Sequence, residues 1–275
     1  MKKILLILFA FLYAMCVIGQ NKTPATQQTA KSKRPKLAIE YFAEYNLQDD
    51  EFGNSHNNDQ SSYYTHEEAL QVCPKGWHLP KQDEWAGLFS YNRRLSKGEA
   101  EPITINGNTK KYFSEYKDNS ENRNIQYGIR FKRDPDMEFD NSLLSAFRYE
   151  YIGEAPMTSG MKVTVRYLGE TFTGKTIDDI ANELYWSNNN KDDISRIFPY
   201  LGYKYSSGKP SFCGETGLYW TASSFAETSC GYCPRMVRMS GNTGDVTFGC
   251  NGANLGEAVS EAKNGYSVRC IRDKE

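Results

Sequence analysis

The sequence predicts an α+β domain, and three observations carry that prediction. Two helix signatures stand close together, one starting near Thr65 and one near Gln82. A long run of segments alternating apolar with polar residues follows from Pro102 to Phe172. The remainder, after one more helical stretch, breaks into short strand-like pieces separated by turns containing Gly and Asn. Period-2 and period-3.6 patterns are thus segregated along the chain rather than alternating in βαβ units.

Taken in order, the N-terminus is a targeting segment. Lys2 and Lys3 form a basic region, Ile4 to Ile18 is apolar and uncharged, and Val17-Ile18-Gly19 supplies a cleavage site. Residues 1–19 are therefore expected to be a signal peptide cut after Gly19, leaving no transmembrane anchor; the apolar stretch is short of the roughly 20 residues a spanning helix needs. Cys16 raises lipid attachment as an alternative, but Met15 stands where a small residue normally precedes such a cysteine. The chain has 275 residues, ample for a core, and a formal net charge of −1. Cleavage removes two lysines and no acid and makes the balance more negative, which argues against a nucleic-acid partner. The expected location is secreted, periplasmic or at the cell surface.

Residues 20–36 are rich in Gln, Thr, Lys, Ser and Pro and read as a flexible linker. The domain proper is expected over 37–275. Leu37 to Leu47 alternates Ile39, Tyr41, Ala43 and Tyr45, which predicts a first strand. Thr65-His66-Glu67-Glu68 is a capping box that opens a helix closed by Pro74-Lys75-Gly76. Trp77 to Leu79 is extended before Pro80. The second helix begins near Gln82, with Glu84 in its first turn and Trp85, Leu88 and Phe89 on one buried stripe. Tyr127–Phe131, Ala146–Tyr151 and Lys162–Tyr167 predict strands. Thr176 to Trp186 predicts a helix with Thr176 as its cap, and Asp193 to Phe198 a short helical piece. Asp192 and Asp193 read as part of a solvated face. The last strands are expected at 217–221, 235–239, 244–248 and 265–271. Tyr is abundant, at 19 residues, and reads mainly as half-buried strand filler. The four tryptophans read as core.

The cysteines agree with export. Seven are present, and loss of Cys16 leaves Cys73, Cys213, Cys230, Cys233, Cys250 and Cys270. An even set in an exported chain reads as disulfides, with 15 pairings open from sequence alone. Cys230-Gly-Tyr-Cys233 has the spacing of a redox motif, but no βαβ pattern surrounds it, so a structural disulfide is the expectation. Zinc held by Cys213, Cys230, Cys233 and Cys250 is the other alternative, disfavoured by a single CxxC pair in an oxidising compartment. The three histidines, His56, His66 and His78, lack metal-ligand spacing.

Three segments together resemble a known family. They are Cys73-Pro-Lys-Gly-Trp-His-Leu-Pro80 with Glu84-Trp85, Gly217-Leu-Tyr-Trp-Thr-Ala-Ser223, and Asn264-Gly-Tyr-Ser-Val-Arg-Cys-Ile-Arg-Asp273. The chain is similar to the Fibrobacter succinogenes major paralogous domain family of exported Bacteroidetes-type proteins, itself resembling the C-type-lectin-like fold shared with formylglycine-generating enzymes. Phe198-Pro-Tyr-Leu-Gly-Tyr203 is similar to a further family segment. The resemblance runs from about 63 to 273, and residues 96–185 look like a β-rich elaboration. It implies two helices and a twisted antiparallel sheet with long loops, the first helix tied to the last strand through Cys73 and Cys270. Cys213, Cys230, Cys233 and Cys250 then have three pairings, expected to give two disulfides that staple the loops. Lys81 departs from the family, which usually has a capping Thr there; the loss should weaken that cap by about 1 kcal/mol.

The function that the resemblance implies is a non-catalytic binding or adhesion module for glycan or cell-surface protein. Recognition is expected in the stapled loops from about 225 to 256. Tyr232, Asn242, Asp245, Asn251 and Asn254 are the candidate contact residues. Calcium would need six to eight oxygen ligands. The Glu-Pro-Asn and Trp-Asn-Asp motifs of calcium lectins are missing, and turn formation accounts for the asparagines, so no cofactor is expected. A structural subunit of a surface appendage and an oxidase are the alternatives. No nucleophile, zinc-protease or phosphate-loop motif is present.

Overall fold

The segment from Leu37 does not form the strand its alternation predicts. In a computed structural model of the chain, Ala38–Tyr41 is a single helical turn, α1. The Glu40 carboxylate accepts from the Leu37 N–H at 2.6 Å, and the Glu40 N–H donates to the Leu37 carbonyl at 2.9 Å. Leu37, Ile39, Tyr41 and Phe42 are all buried in one cluster. A strand would send neighbouring side chains to opposite faces, whereas a tight turn buries them together. The structure describes residues 34–48, 51–52, 63–89, 101–131, 144–153, 159–169, 175–188, 190–206, 208–225, 233–240, 245–249 and 262–275. Within it Pro35–Glu275 is one compact unit. The expected signal segment and most of the linker lie outside the described residues. Among those described, no helix is long and apolar enough to cross a membrane.

A two-residue hairpin, β1 (Leu47–Gln48) with β2 (Glu51–Phe52), precedes α2 (His66–Val72). The predicted capping box is present: the Glu68 N–H donates to Thr65 Oγ1 at 3.4 Å, and the Thr65 N–H donates to Glu68 Oε2 at 2.8 Å. Cys73 ends the helix and is bonded to Cys270, with the Cα atoms 5.9 Å apart across 197 residues of sequence. This is the pairing the family resemblance implies. β3 (Trp77–His78) then pairs antiparallel with β15 (Ile271–Arg272) at the C-terminus. Further along, α3 (Gln82–Trp85) carries Trp85, and the turn after it carries Leu88 and Phe89; all three are fully buried, as their spacing predicts. Lys81 supplies no side-chain cap. Ser223 does so instead, its Oγ accepting from the Gln82 N–H at 2.9 Å.

Six strands in sequence order make one antiparallel sheet: β4 (Glu101–Ile105), β5 (Asn108–Asp118), β6 (Ile125–Phe131), β7 (Ser145–Ile152), β8 (Gly160–Tyr167) and β9 (Ile194–Pro199). The β-rich elaboration is therefore a meander, and it extends to β9. Asp193 to Phe198 was expected to be helical. It is an extended edge strand, because Ile194, Arg196 and Phe198 register with Val165, Val163 and Met161 of β8 and join the sheet face that packs on the main core. Gly128 in β6 leaves room for the Tyr116 and Tyr149 rings, whose atoms would lie 2.8 and 3.3 Å from a β-carbon there.

The sheet has two different faces. Phe147, Tyr149, Met161, Val163, Val165 and Phe198 pack against Trp85, Phe89 and Tyr219. The opposite face carries Ile125, Tyr127, Ile129 and Ala146, which are covered by Ile180 and Trp186. Those two side chains come from α4 (Ile177–Ile180) and α5 (Glu183–Ser187). One helix was expected over this stretch. It is broken because the Asn182 side chain accepts from the Tyr185 N–H at 2.9 Å, starting a new helix rather than continuing the old one. The Trp186 indole donates to the Ile180 carbonyl at 2.9 Å across the break.

The C-terminal part comprises the small hairpin β10 (Tyr203–Lys204) and β11 (Pro210–Ser211), and a three-stranded antiparallel sheet of β12 (Thr216–Phe225), β13 (Cys233–Ser240) and β14 (Asp245–Gly249). Leu218, Trp220 and Met236 face a second cluster with Leu79, Tyr266, Val268 and Cys270. Tyr219, Val237 and Met239 face the main core. Arg269 is fully buried between these layers. Its guanidinium donates to the carbonyls of Ala43, Glu44 and Ile197 and lies 4.7 Å from the Phe198 ring centroid. Burial lowers its pKa to about 10. The chain is thus α+β, as predicted, with a mixed, strand-rich architecture.

Candidate binding sites

Two arrangements could meet a ligand, one on the β10–β11 hairpin and one on the meander. The hairpin site begins with a close backbone crossing. Gly202 has φ +68°, and a β-carbon there would lie 1.9 Å from the Ser211 carbonyl oxygen. Only glycine allows both the left-handed backbone and this approach. The Gly202 N–H donates to the Thr216 carbonyl at 2.7 Å and the Gly214 N–H to the Tyr200 carbonyl at 2.6 Å. Lys204 exchanges two backbone hydrogen bonds with Gly265, at 2.9 and 2.7 Å. The Tyr63 hydroxyl and the Cys213 thiol both donate to the Leu201 carbonyl behind the crossing, at 2.7 and 3.2 Å.

This frame holds a ladder of aromatic rings. Trp220, 1% exposed, stacks on Tyr266 at 4.1 Å between centroids. Tyr266 meets Tyr203 edge-on at 6.0 Å. Tyr203 in turn stacks on Phe212 at 5.5 Å with 10° between planes and meets Tyr205 at 4.9 Å. The Tyr203 and Tyr205 hydroxyls are hydrogen-bonded at 2.6 Å. The ladder ends in solvent, with Tyr205 47% and Phe212 51% exposed. Phe212 also has φ +59°, a left-handed conformation that is uncommon for a bulky residue. Lys204 and Lys209 flank the rings and are exposed.

The second arrangement is an open recess of about 500 Å³ on the meander face that α5 leaves uncovered. Arg148 of β7, Thr164 of β8 and Ser195 of β9 are cross-strand neighbours and form its floor. The Thr164 and Ser195 hydroxyls are 2.8 Å apart. Glu183 and Trp186 form a wall, and Lys162, Asn190 and Lys191 a rim. Arg148 is clamped between Glu150, at 2.6 Å, and Glu183, at 3.3 Å. The Tyr127 hydroxyl donates to Glu183 Oε1 at 2.6 Å; burial and that carboxylate push its pKa up to about 12. Arg166 grips Asp193 through two bonds of 2.8 and 2.7 Å and stacks on Tyr185 and Trp186. Asp193 therefore does not belong to a solvated face: it anchors the loop that enters β9.

A third polar cluster is structural. His78 Nδ1 lies 2.7 Å from Asp273 Oδ1, and its Nε2 lies 3.1 Å from Glu84 Oε1. Hydrogen bonding to Glu84, opposed by burial and aided by Asp273, raises its pKa. This imidazole joins α3 to the C-terminal segment beside the disulfide. Among the described residues no group of three or more His, Cys, Asp or Glu is placed to hold a metal ion.

The residues singled out in the loops are mostly not placed by the structure. Tyr232, Asn242, Asn251, Asn254, Cys230 and Cys250 lie outside the described residues. Asp245 opens β14 opposite Ser240, and Cys233 opens β13 opposite Phe225. Cys213 was expected in a loop disulfide and is a free thiol here, directed at the Leu201 carbonyl. The exposed aromatic residues Tyr205 and Phe212 were not anticipated as contacts. The Phe198–Tyr203 segment just before them was the available signal.

Fold and sites together define an α+β domain clasped by the Cys73–Cys270 disulfide, with an aromatic ladder and a charged recess at its surface. The chain belongs to the family described as "Domain of unknown function (DUF8237)", which matches residues 34–270. No curated protein and no solved structure matches it.

Proposed function

We propose that the chain is a non-catalytic, exported carbohydrate-binding module of C-type-lectin-like fold, and that the Tyr203–Tyr205–Phe212 ladder is its contact surface. The carrying observation is that two large aromatic side chains are half-exposed yet held by stacking that reaches the fully buried Trp220. Rigid aromatic faces carrying hydroxyls bring large contact area at low entropic cost, which suits the apolar face of a sugar ring flanked by polar groups. The clasp between the end of α2 and the residue before β15 supports the lectin-like reading, as does the resemblance to the major paralogous domain family.

A glycan and cell-wall array probed with the purified chain, with and without calcium, tests the reading. Binding is expected, unchanged by chelation, and about ten-fold weaker in Tyr205→Ala and in Phe212→Ala, which corresponds to roughly 1.4 kcal/mol. Glycan binding unaltered in both variants would remove the ladder as the contact. A solution mass that exceeds the monomer and falls to it in Phe212→Ala would assign the ladder to self-assembly instead.

A further inference from the structure

The meander recess offers a different chemistry from the ladder, and its committed and uncommitted groups can be separated. Its acids are already engaged: Glu150 and Glu183 bind Arg148, and Asp193 binds Arg166. Its two lysines are not matched in the same way. Lys162 Nζ is 3.9 Å from Glu150 Oε2, beyond hydrogen-bond reach, while that carboxylate holds Arg148 at 2.6 Å. Lys191 is exposed at the rim, and among the described residues no carboxylate pairs with it. Between them lie the hydrogen-bonded hydroxyls of Thr164 and Ser195 and the side chain of Asn190, whose Oδ1 accepts from the Asp192 N–H at 3.1 Å. The recess thus presents surplus positive charge at its rim and neutral hydrogen-bonding groups at its centre. Its volume of about 500 Å³ falls within the roughly 300–1,000 Å³ of small-ligand pockets. The floor is fixed, because Arg148, Thr164 and Ser195 stand on three neighbouring strands and Arg148 is held from both sides.

We infer that this recess is a binding site for an anionic saccharide, one whose carboxylate or sulfate pairs with Lys162 and Lys191 while ring hydroxyls bond Thr164, Ser195 and Asn190. The site lies on elements other than those of the aromatic ladder and does not depend on the ladder binding anything. A charged group on the ligand supplies charge-assisted bonds, and neutral hydroxyls on the floor favour a polyol over a simple ion.

The test is titration calorimetry with the whole chain and four probes: an oligouronate, a sulfated oligosaccharide, a neutral oligosaccharide of equal length, and inorganic sulfate. The oligouronate or the sulfated oligosaccharide, whichever source the site takes, is expected to bind at least ten-fold more tightly than the neutral sugar and than sulfate, and to weaken as salt rises. Lys162→Gln with Lys191→Gln should lower that affinity by about ten-fold or more, the scale of a lost charge-assisted bond. Thr164→Val, which keeps the shape and removes the hydroxyl, should lower it several-fold without changing the thermal midpoint. Tyr205→Ala and Phe212→Ala should leave it unchanged, so failure at one site is separable from failure at the other. Equal affinity for inorganic sulfate or for the neutral oligosaccharide, or indifference to the lysine and Thr164 variants, would overturn the inference.

Discussion

His78 and His66 show how single residues can oppose one another. His78 bridges two carboxylates and holds its proton more tightly folded than unfolded. Its stabilisation is complete below the unfolded value of about 6.5 and is lost as pH rises through its raised folded pKa. His66 is buried, donates through Nε2 to the Thr221 carbonyl at 2.9 Å, and has its pKa lowered by burial. Its contribution is present above about 6.5 and is lost as pH falls through its folded pKa. His78→Gln should therefore flatten the decline in stability on the alkaline side and leave the acid-side decline in place. Urea midpoints measured from pH 5 to pH 9 check this; parallel curves for the two proteins would refute the clasp. The capping role of Thr65 was legible in the sequence because its partner Glu68 is three residues away. The role of His78 was not, because Asp273 is 195 residues distant. Arg269 is a similar case: nothing near it in sequence marks it as the residue that gathers carbonyls from two separate segments.

At the scale of elements, helices were predicted where caps and apolar stripes coincide, and the errors arise where a tertiary partner or an unrecognised internal cap competes. Ser223 of β12 replaces the cap that Lys81 lacks. Ser223→Ala should cost about 1 kcal/mol, the range of a lost N-cap, whereas Lys81→Ala should cost little. Chemical denaturation of the two variants distinguishes these; equal small losses would mean that Ser223 does not cap α3. Asp193 to Phe198 looked helical as an isolated window, and its extended form is set by pairing with β8. The 176–186 stretch satisfies a helical pattern overall, yet the Asn182 cap divides it so that Ile180 and Trp186 both cover the meander. The three strands of the meander with clear alternation, β6, β7 and β8, formed where that period required: alternate residues of β7 and β8 enter the main core, and alternate residues of β6 enter the cluster on the opposite face.

For the molecule as a whole, the Cys73–Cys270 bond closes a loop that contains both the meander and the aromatic hairpin. Replacing both cysteines with serine should lower stability by about 2–5 kcal/mol, mostly through added freedom of the unfolded chain. Thermal unfolding with and without reductant measures it, and an unchanged midpoint on reduction would show that the frame is held without the bond. His78 and the β3–β15 pairing act at the same junction, so their effects should couple to loss of the disulfide rather than add.

Legible from the sequence were the α+β class, the Thr65 capping box, the buried Trp85–Phe89 stripe, and the alternating strands β6 to β8 of the meander. These are short-range properties, set by backbone geometry and by the period at which apolar residues recur. Tertiary structure alone decided which uncapped helix borrows a distant serine and which apolar window becomes an edge strand. It also decided that Tyr203 links Tyr205 and Phe212 to Tyr266 and Trp220, and that two arginines and two lysines face three carboxylates around the recess, a balance of one positive charge. Those outcomes depend on contacts between residues remote in the chain, whose free energy exists only once the two layers of the core have brought them together.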